Sequence, residues 1–151
     1  MLQIYDIASK LIDKRESFVL ATILDKNGSA PRRRGSKMII KKDYSIIGTI
    51  GGGLFEALTI KLSKEVFHNR KAIIKNLDLS TECSNSLEIV CGGELKVLME
   101  YVDAENNNIT EIYKQSANLR KQGINFSIVT KIESKDEIFY NSCKWICTET
   151  D

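Results

Sequence analysis

Two stretches of this sequence carry residues whose types and spacing suit the binding of an anion. GSAPRRRG (residues 28–35) sets Ser29 and Arg32 in a loop stiffened by Pro31, the only proline of the chain. Arginine presents a two-pronged donor that matches phosphate or carboxylate geometry, which lysine does not. GTIGGGLFEA (48–57) places Gly51, Gly52 and Gly53 between an apolar run and a segment of helical spacing, with Glu56 just beyond. Three adjacent glycines cost a few kcal/mol relative to alanine in regular structure, so something local must offset them. A strand, a glycine turn and a helix in that order direct backbone N–H groups and a helix N-terminus at an anion. Neither common nucleotide signature is met: Glu56 stands where the dinucleotide pattern needs its third glycine, and Leu54 where a P-loop needs lysine. The competing readings are a tight strand-to-helix turn for the glycines and a solvated basic segment for the arginines.

A third candidate is Cys91–Gly92–Gly93. A thiol at a backbone turn becomes useful as thiolate, and N–H groups or Arg32 would lower its pKa; the plainer reading is a small buried side chain. No catalytic residue and no metal set are expected elsewhere. His68, the single histidine, falls near a predicted helix end beside Asn69 and Arg70. Cys143 and Cys147 in CKWIC lack a second ligand pair and read as buried thiols beside Trp145. Arg120 and Lys121 suit a helix C-terminus, and Asp78 and Glu82 read as solvated loop acids.

The elements that must position these residues belong to a chain of 151 residues with 42% hydrophobic and 28% charged composition, expected to form one domain over 1–151. A net charge of +2, and no aromatics interleaved in RRRGSK, weigh against a nucleic-acid partner. No apolar run nears the roughly 20 residues of a membrane span, and MLQIYDIASK has no signal-peptide core, so no membrane partner and a cytoplasmic location are expected. The four cysteines are expected to be reduced.

Periodicity predicts helices over 2–14, 54–68 and 109–121, and strands over 18–24, 37–42, 46–50, 73–79, 94–102, 126–132 and 138–147. DKNGSAPRRRGS reads as a long loop, and Asp43–Ser45 and Asn106–Asn108 as turns. The fold class is α/β or mixed α+β, with a mixed β-sheet flanked by about three helices.

In order and spacing, GSAPRRRGSKMII, GTIGGGLFEA and CGGELKVLMEYV together resemble the XdhC and CoxI family, maturation factors of xanthine dehydrogenase and related molybdenum hydroxylases. The matching positions are Gly28, Ser29, Pro31, Arg32 and Gly35, then Gly48 to Gly53 and Glu56, then Cys91, Gly92 and Gly93. The resemblance implies a chaperone that transiently binds the molybdenum cofactor, molybdopterin, while a cysteine desulfurase exchanges an oxo ligand for sulfur. It then passes the cofactor to an apo xanthine dehydrogenase-type hydroxylase. Ser29, Arg32, Gly51, Gly52, Gly53, Glu56, Cys91, Gly92 and Gly93 are the implied cofactor contacts. Leu54 departs from the cysteine that relatives commonly carry there. Longer relatives continue into a Rossmann-type domain that is not expected here, and a homodimer is left open. The alternatives are a sulfur-transfer enzyme using Cys91 and a basic-loop nucleic-acid module.

Overall fold

The computed structural model describes residues 3–28, 32–79 and 93–149. Helix α1 (Gln3–Asp13) buries Ile4, Ala8, Leu11 and Ile12, a spacing that keeps one face apolar. It ends where Arg15 turns left-handed at φ 58° and donates its N–H to the Ile12 carbonyl. Helix α2 (Gly53–Asn69) buries Phe55, Thr59, Ser63 and Val66, with Arg70 as a left-handed cap. Helix α3 (Asn107–Lys121) is started by Asn106, whose side chain accepts the N–H groups of Asn108 and Ile109.

Seven strands form one sheet: β1 (Phe18–Gly28), β2 (Lys37–Ile40), β3 (Ile46–Gly48), β4 (Ala72–Asp78), β5 (Gly93–Val102), β6 (Phe126–Ser134) and β7 (Phe139–Thr148). Their order is β3-β2-β1-β5-β4-β7-β6. The mixed α+β class holds, but every pairing is antiparallel, so the sheet is not the mixed one expected. Helix α1 precedes β1, α2 links β3 to β4 and α3 links β5 to β6, and neither linked pair of strands is adjacent in the sheet.

Helix α2 covers one face of the sheet over an apolar core of Val19, Ala21, Met38, Ile40, Ile50, Ile73, Val97 and Met99. Helices α1 and α3 cover the other through Phe18, Leu20, Ile39, Val102 and Tyr113. Phe18–Ile23 is buried at every position because β1 is central and covered on both faces, hence a run that is apolar except at Thr22. That strand also runs four residues beyond the expected Leu24. After a bulge between Ile23 and Asp25, residues 25–28 pair with β5 as far as Gly28↔Gly93. The ladder partner overrides the polar, turn-like composition of DKNG.

β7 joins β4 over only two residue pairs, Ala72↔Tyr140 and Ile73↔Phe139. The β6–β7 hairpin then curls inward, making a half-barrel in which Lys144 of β7 reaches Glu100 of β5 across the intervening strand. Its inward positions include Ile128, Thr130, Ile132 and Lys144. Cys143, Trp145 and Cys147 take the opposite parity, so both thiols are exposed and Trp145 is 47% exposed. The expectation of buried thiols is corrected by that register. No helix among the described residues is long and apolar enough to cross a membrane.

Candidate functional site

The register Met38↔Gly48 sets the start of β2 beside the end of β3. The arginine loop feeds the first of these ends and the glycine turn leaves the second, so two segments distant in sequence meet at one edge of the sheet. The loop is stitched back onto β1: Gly35 N–H donates to the Ile23 carbonyl at 2.8 Å, and Ile23 N–H to the Ser36 carbonyl at 3.0 Å.

The three arginines separate by partner. Arg34 pairs with Asp25, its Nε donating to Oδ1 at 2.8 Å. That bond and the Lys26 N–H, the larger effect, hold the Asp25 carboxyl below its ordinary range. Arg32 instead lines a cleft of about 400 Å³ with Ser36, Lys37, Gly48, Thr49, Gln3 and the apolar side chains Ile4, Ile7 and Ile47.

Gly48 must be glycine. Its φ is +83°, and a Cβ would stand 2.8 Å from the Lys37 carbonyl oxygen. Beyond it, Ile50 is fully buried and anchors the turn in the core. Gly52, the N-cap of α2, has φ 77° and ψ −179°, a conformation essentially confined to glycine. A Cβ at Gly52 or Gly53 would meet nothing within 4 Å, so crowding is not what selects glycine there.

The turn is closed from within. Glu56 Oε1 accepts the Thr49 hydroxyl at 2.5 Å and the Gly52 N–H at 3.0 Å, while Gly51 N–H donates to Thr49 Oγ1 at 3.1 Å. Glu56 therefore satisfies one N–H of the glycine turn, much as a helix capping box does. The first N–H groups of α2, from Gly53 on, have no acceptor within the helix; of the turn, Gly48 and Thr49 line the Arg32 cleft, whereas Gly51, Gly52 and Gly53 do not.

Of the third motif, Cys91–Gly92–Gly93, only Gly93 is among the described residues, and it lies away from the cleft. Gly93 pairs with Gly28, six residues along β1 from Thr22, which faces Lys37; that is about 20 Å of strand. Ser29, Cys91 and Gly92 lie outside the described residues. Asp78 ends β4 opposite Glu94 and is not a loop residue, whereas Glu82 lies outside the described residues.

Sequence reasoning did not single out Lys37 or Gln3. The readable signal for Lys37 is its parity with Ile39, which puts its side chain on the face covered by α1. Burial, then the neighbouring Lys144, pull the Lys37 ammonium below its ordinary range, with Glu100 opposing them. A half-buried cation that makes no direct ion pair among the described residues suits an anionic ligand.

Residues 11–77 match the sequence profile of the XdhC and CoxI family. The matched segment runs from the last turn of α1 to the end of β4. The whole arginine loop and glycine turn fall inside it. Among curated relatives, an uncharacterized protein, YqeB, of Escherichia coli (strain K12) is 32% identical over 65% of this chain and 18% of its own length. A probable xanthine dehydrogenase subunit of Bacillus subtilis (strain 168) is 28% identical over 85% of this chain and 39% of its own. The crystal structure of a xanthine dehydrogenase from Bacillus halodurans superposes with a TM-score of 0.74 at 22% identity, covering 94% of this chain and 41% of that one. The fold is thus shared with that neighbour. The chain spans less than half the length of each of these relatives.

Proposed function

We propose that this chain carries the molybdenum cofactor for a xanthine dehydrogenase-type molybdenum hydroxylase, holding the anionic end of molybdopterin in the Arg32 cleft. The observation that supports this most is the β2–β3 register, which sets Arg32, Ser36 and Lys37 against Gly48 and Thr49. The donor set fits the group: two cationic side chains and the Ser36 hydroxyl suit a terminal phosphate, and Ile4, Ile7 and Ile47 offer an apolar wall for a ring system. About 400 Å³ lies within the usual range of small-molecule sites. When bound, the cofactor supplies the molybdenum centre that the hydroxylase needs.

The residues of this chain bind and orient. Arg32 and Lys37 neutralise the anion, Ser36 donates to it, and Glu56 keeps the glycine turn in shape through Thr49 and Gly52. In this proposal Glu56 is a positioning residue and not a cofactor contact. Ser29, Cys91 and Gly92 are proposed as further contacts from the family pattern alone. Sulfuration by a cysteine desulfurase, delivery to the apo-hydroxylase and a cytoplasmic site of action complete the reading.

The test is co-expression with the molybdopterin pathway, followed by oxidation of the purified protein to release the fluorescent pterin. Fluorescence well above that of an unrelated control protein is expected. A signal at control level, where an established carrier retains pterin, contradicts the proposal.

A further inference from the structure

The inside of the half-barrel holds an unusual concentration of polar groups. Glu100 is 3% exposed, and its Oε2 accepts Lys144 Nζ at 2.9 Å; the same ammonium donates to Thr130 Oγ1 at 2.9 Å. Lys37 Nζ donates to Thr22 Oγ1 at 3.4 Å. Tyr113 is 1% exposed and packs against Phe18 and Tyr5, with ring centroids 6.2 and 6.1 Å away. Among the described residues, neither Tyr113 Oη nor Glu100 Oε1 has a hydrogen-bond partner.

These groups surround one cavity of about 120 Å³, walled elsewhere by Leu20, Leu24, Leu98, Ile128 and Ile132. Two buried orphan groups in a native interior call for an occupant, because each otherwise costs its full desolvation penalty. The volume equals the liquid share of about four waters. That admits a molecule of four or five heavy atoms and excludes a nucleotide or a pterin.

Charge narrows the chemistry. Lys37 and Lys144 against Glu100 leave one positive charge in excess, favouring an anion. The two orphans ask for opposite partners: Tyr113 Oη has a proton to donate, whereas Glu100 Oε1 as a carboxylate only accepts. Chloride, nitrate and sulfate satisfy the first and leave the second bare. An oxyanion that keeps a hydroxyl satisfies both. Lys37 also lines the Arg32 cleft, and Glu100 and Lys144 line a second surface pocket with Asn106 and Ser142, so the cavity adjoins surface clefts on two sides.

We propose that this cavity is a binding site for a small hydroxyl-bearing oxyanion of the hydrogen phosphate type, accepting from Tyr113 and the two lysines and donating to Glu100. The site shares Lys37 with the Arg32 cleft, but Tyr113, Glu100 and Lys144 lie outside that cleft's lining, and the proposal does not rest on a cofactor being bound there.

The test uses the full chain carrying Arg32→Ala, so that the cleft does not compete, and follows inorganic phosphate binding by calorimetry. Phosphate is expected to bind, with sulfate at equal ionic strength weaker by roughly tenfold or more. Adding Tyr113→Phe is expected to weaken phosphate by a similar factor without lowering the melting temperature of the unliganded chain, since the hydroxyl it removes has no protein partner. Absence of phosphate binding, equal binding of phosphate and sulfate, or unchanged affinity in Tyr113→Phe would each overturn the proposal. Should Tyr113→Phe fail to fold, the phosphate-to-sulfate ratio still decides.

Discussion

The two faces of the central sheet are built from the same strands yet filled with different chemistry. Toward α2, β1, β2, β4 and β5 present Val19, Ala21, Met38, Ile40, Ile73, Val97 and Met99, an apolar layer with no fully buried charge among the described residues; Lys75, opposite Val97, is only half-buried. Toward α1, α3 and the curled hairpin, the same strands present Thr22, Lys37 and Glu100 among Leu20, Ile39 and Leu98. The first face carries the stability that hydrophobic burial gives at any pH. The second accepts the desolvation of three charged groups and holds its stability only while they remain matched. The polar groups of the core thus lie on the face that adjoins the Arg32 cleft.

Removing one charge of the buried pair breaks this comparison most strongly. Lys144→Ala leaves Glu100 buried without its partner, and a loss of about 3–5 kcal/mol by urea denaturation is expected. Replacing both residues by leucine should restore most of that loss, because the pair as a whole contributes little net stability. On the dry face, Ile73→Ala is expected to cost about 2–5 kcal/mol, with no second substitution able to repair it. A double variant as unstable as Lys144→Ala would show that the polar face is held by packing, like the other.

A smaller effect separates the faces by pH. Burial, and secondarily the Glu100 charge, push the Tyr5 phenol up to about 12 from its ordinary 10. The fold thus favours the neutral phenol. Its contribution is complete below pH 10 and is lost as pH rises from 10 through about 12. Stability measured across that window should fall less steeply in Tyr5→Phe than in the parent chain, and identical slopes would remove Tyr5 from the account.

Much of this was legible in the sequence where one pattern has one physical meaning. Ile4, Ala8, Leu11 and Ile12 admit only a helix of one apolar face, and α1 lies within a residue of its expected ends. The meeting of GSAPRRRG with GTIGGG required only that 37–42 and 46–50 pair as a hairpin, which β2 and β3 do. Legibility failed where partners decide. DKNG reads as a turn, yet becomes strand because β5 offers it a ladder. In CKWIC, periodicity fixes that the cysteines share a face but not which face, and the curl of the hairpin turned Lys144 inward instead. Glu100 alternates with Leu98 and Val102, and one carboxylate at a core position is easily read as an error in register until Lys144 is seen beside it. The separation of Arg32 from Arg34 depends on Asp25, nine residues back across the loop.

The most direct measurement is pterin retention in three single variants, Arg32→Ala, Arg33→Ala and Arg34→Ala, co-expressed with molybdopterin synthesis and compared with the parent chain. Arg32 lines the cleft, whereas Arg34 is 70% exposed and engaged with Asp25, an exposed pair of small energetic weight. Arg32→Ala is expected to weaken retention roughly tenfold or more with a nearly unchanged melting temperature, and Arg33→Ala and Arg34→Ala much less. Equal losses from all three would mean a diffuse basic patch and would contradict the Arg32 cleft as the cofactor site.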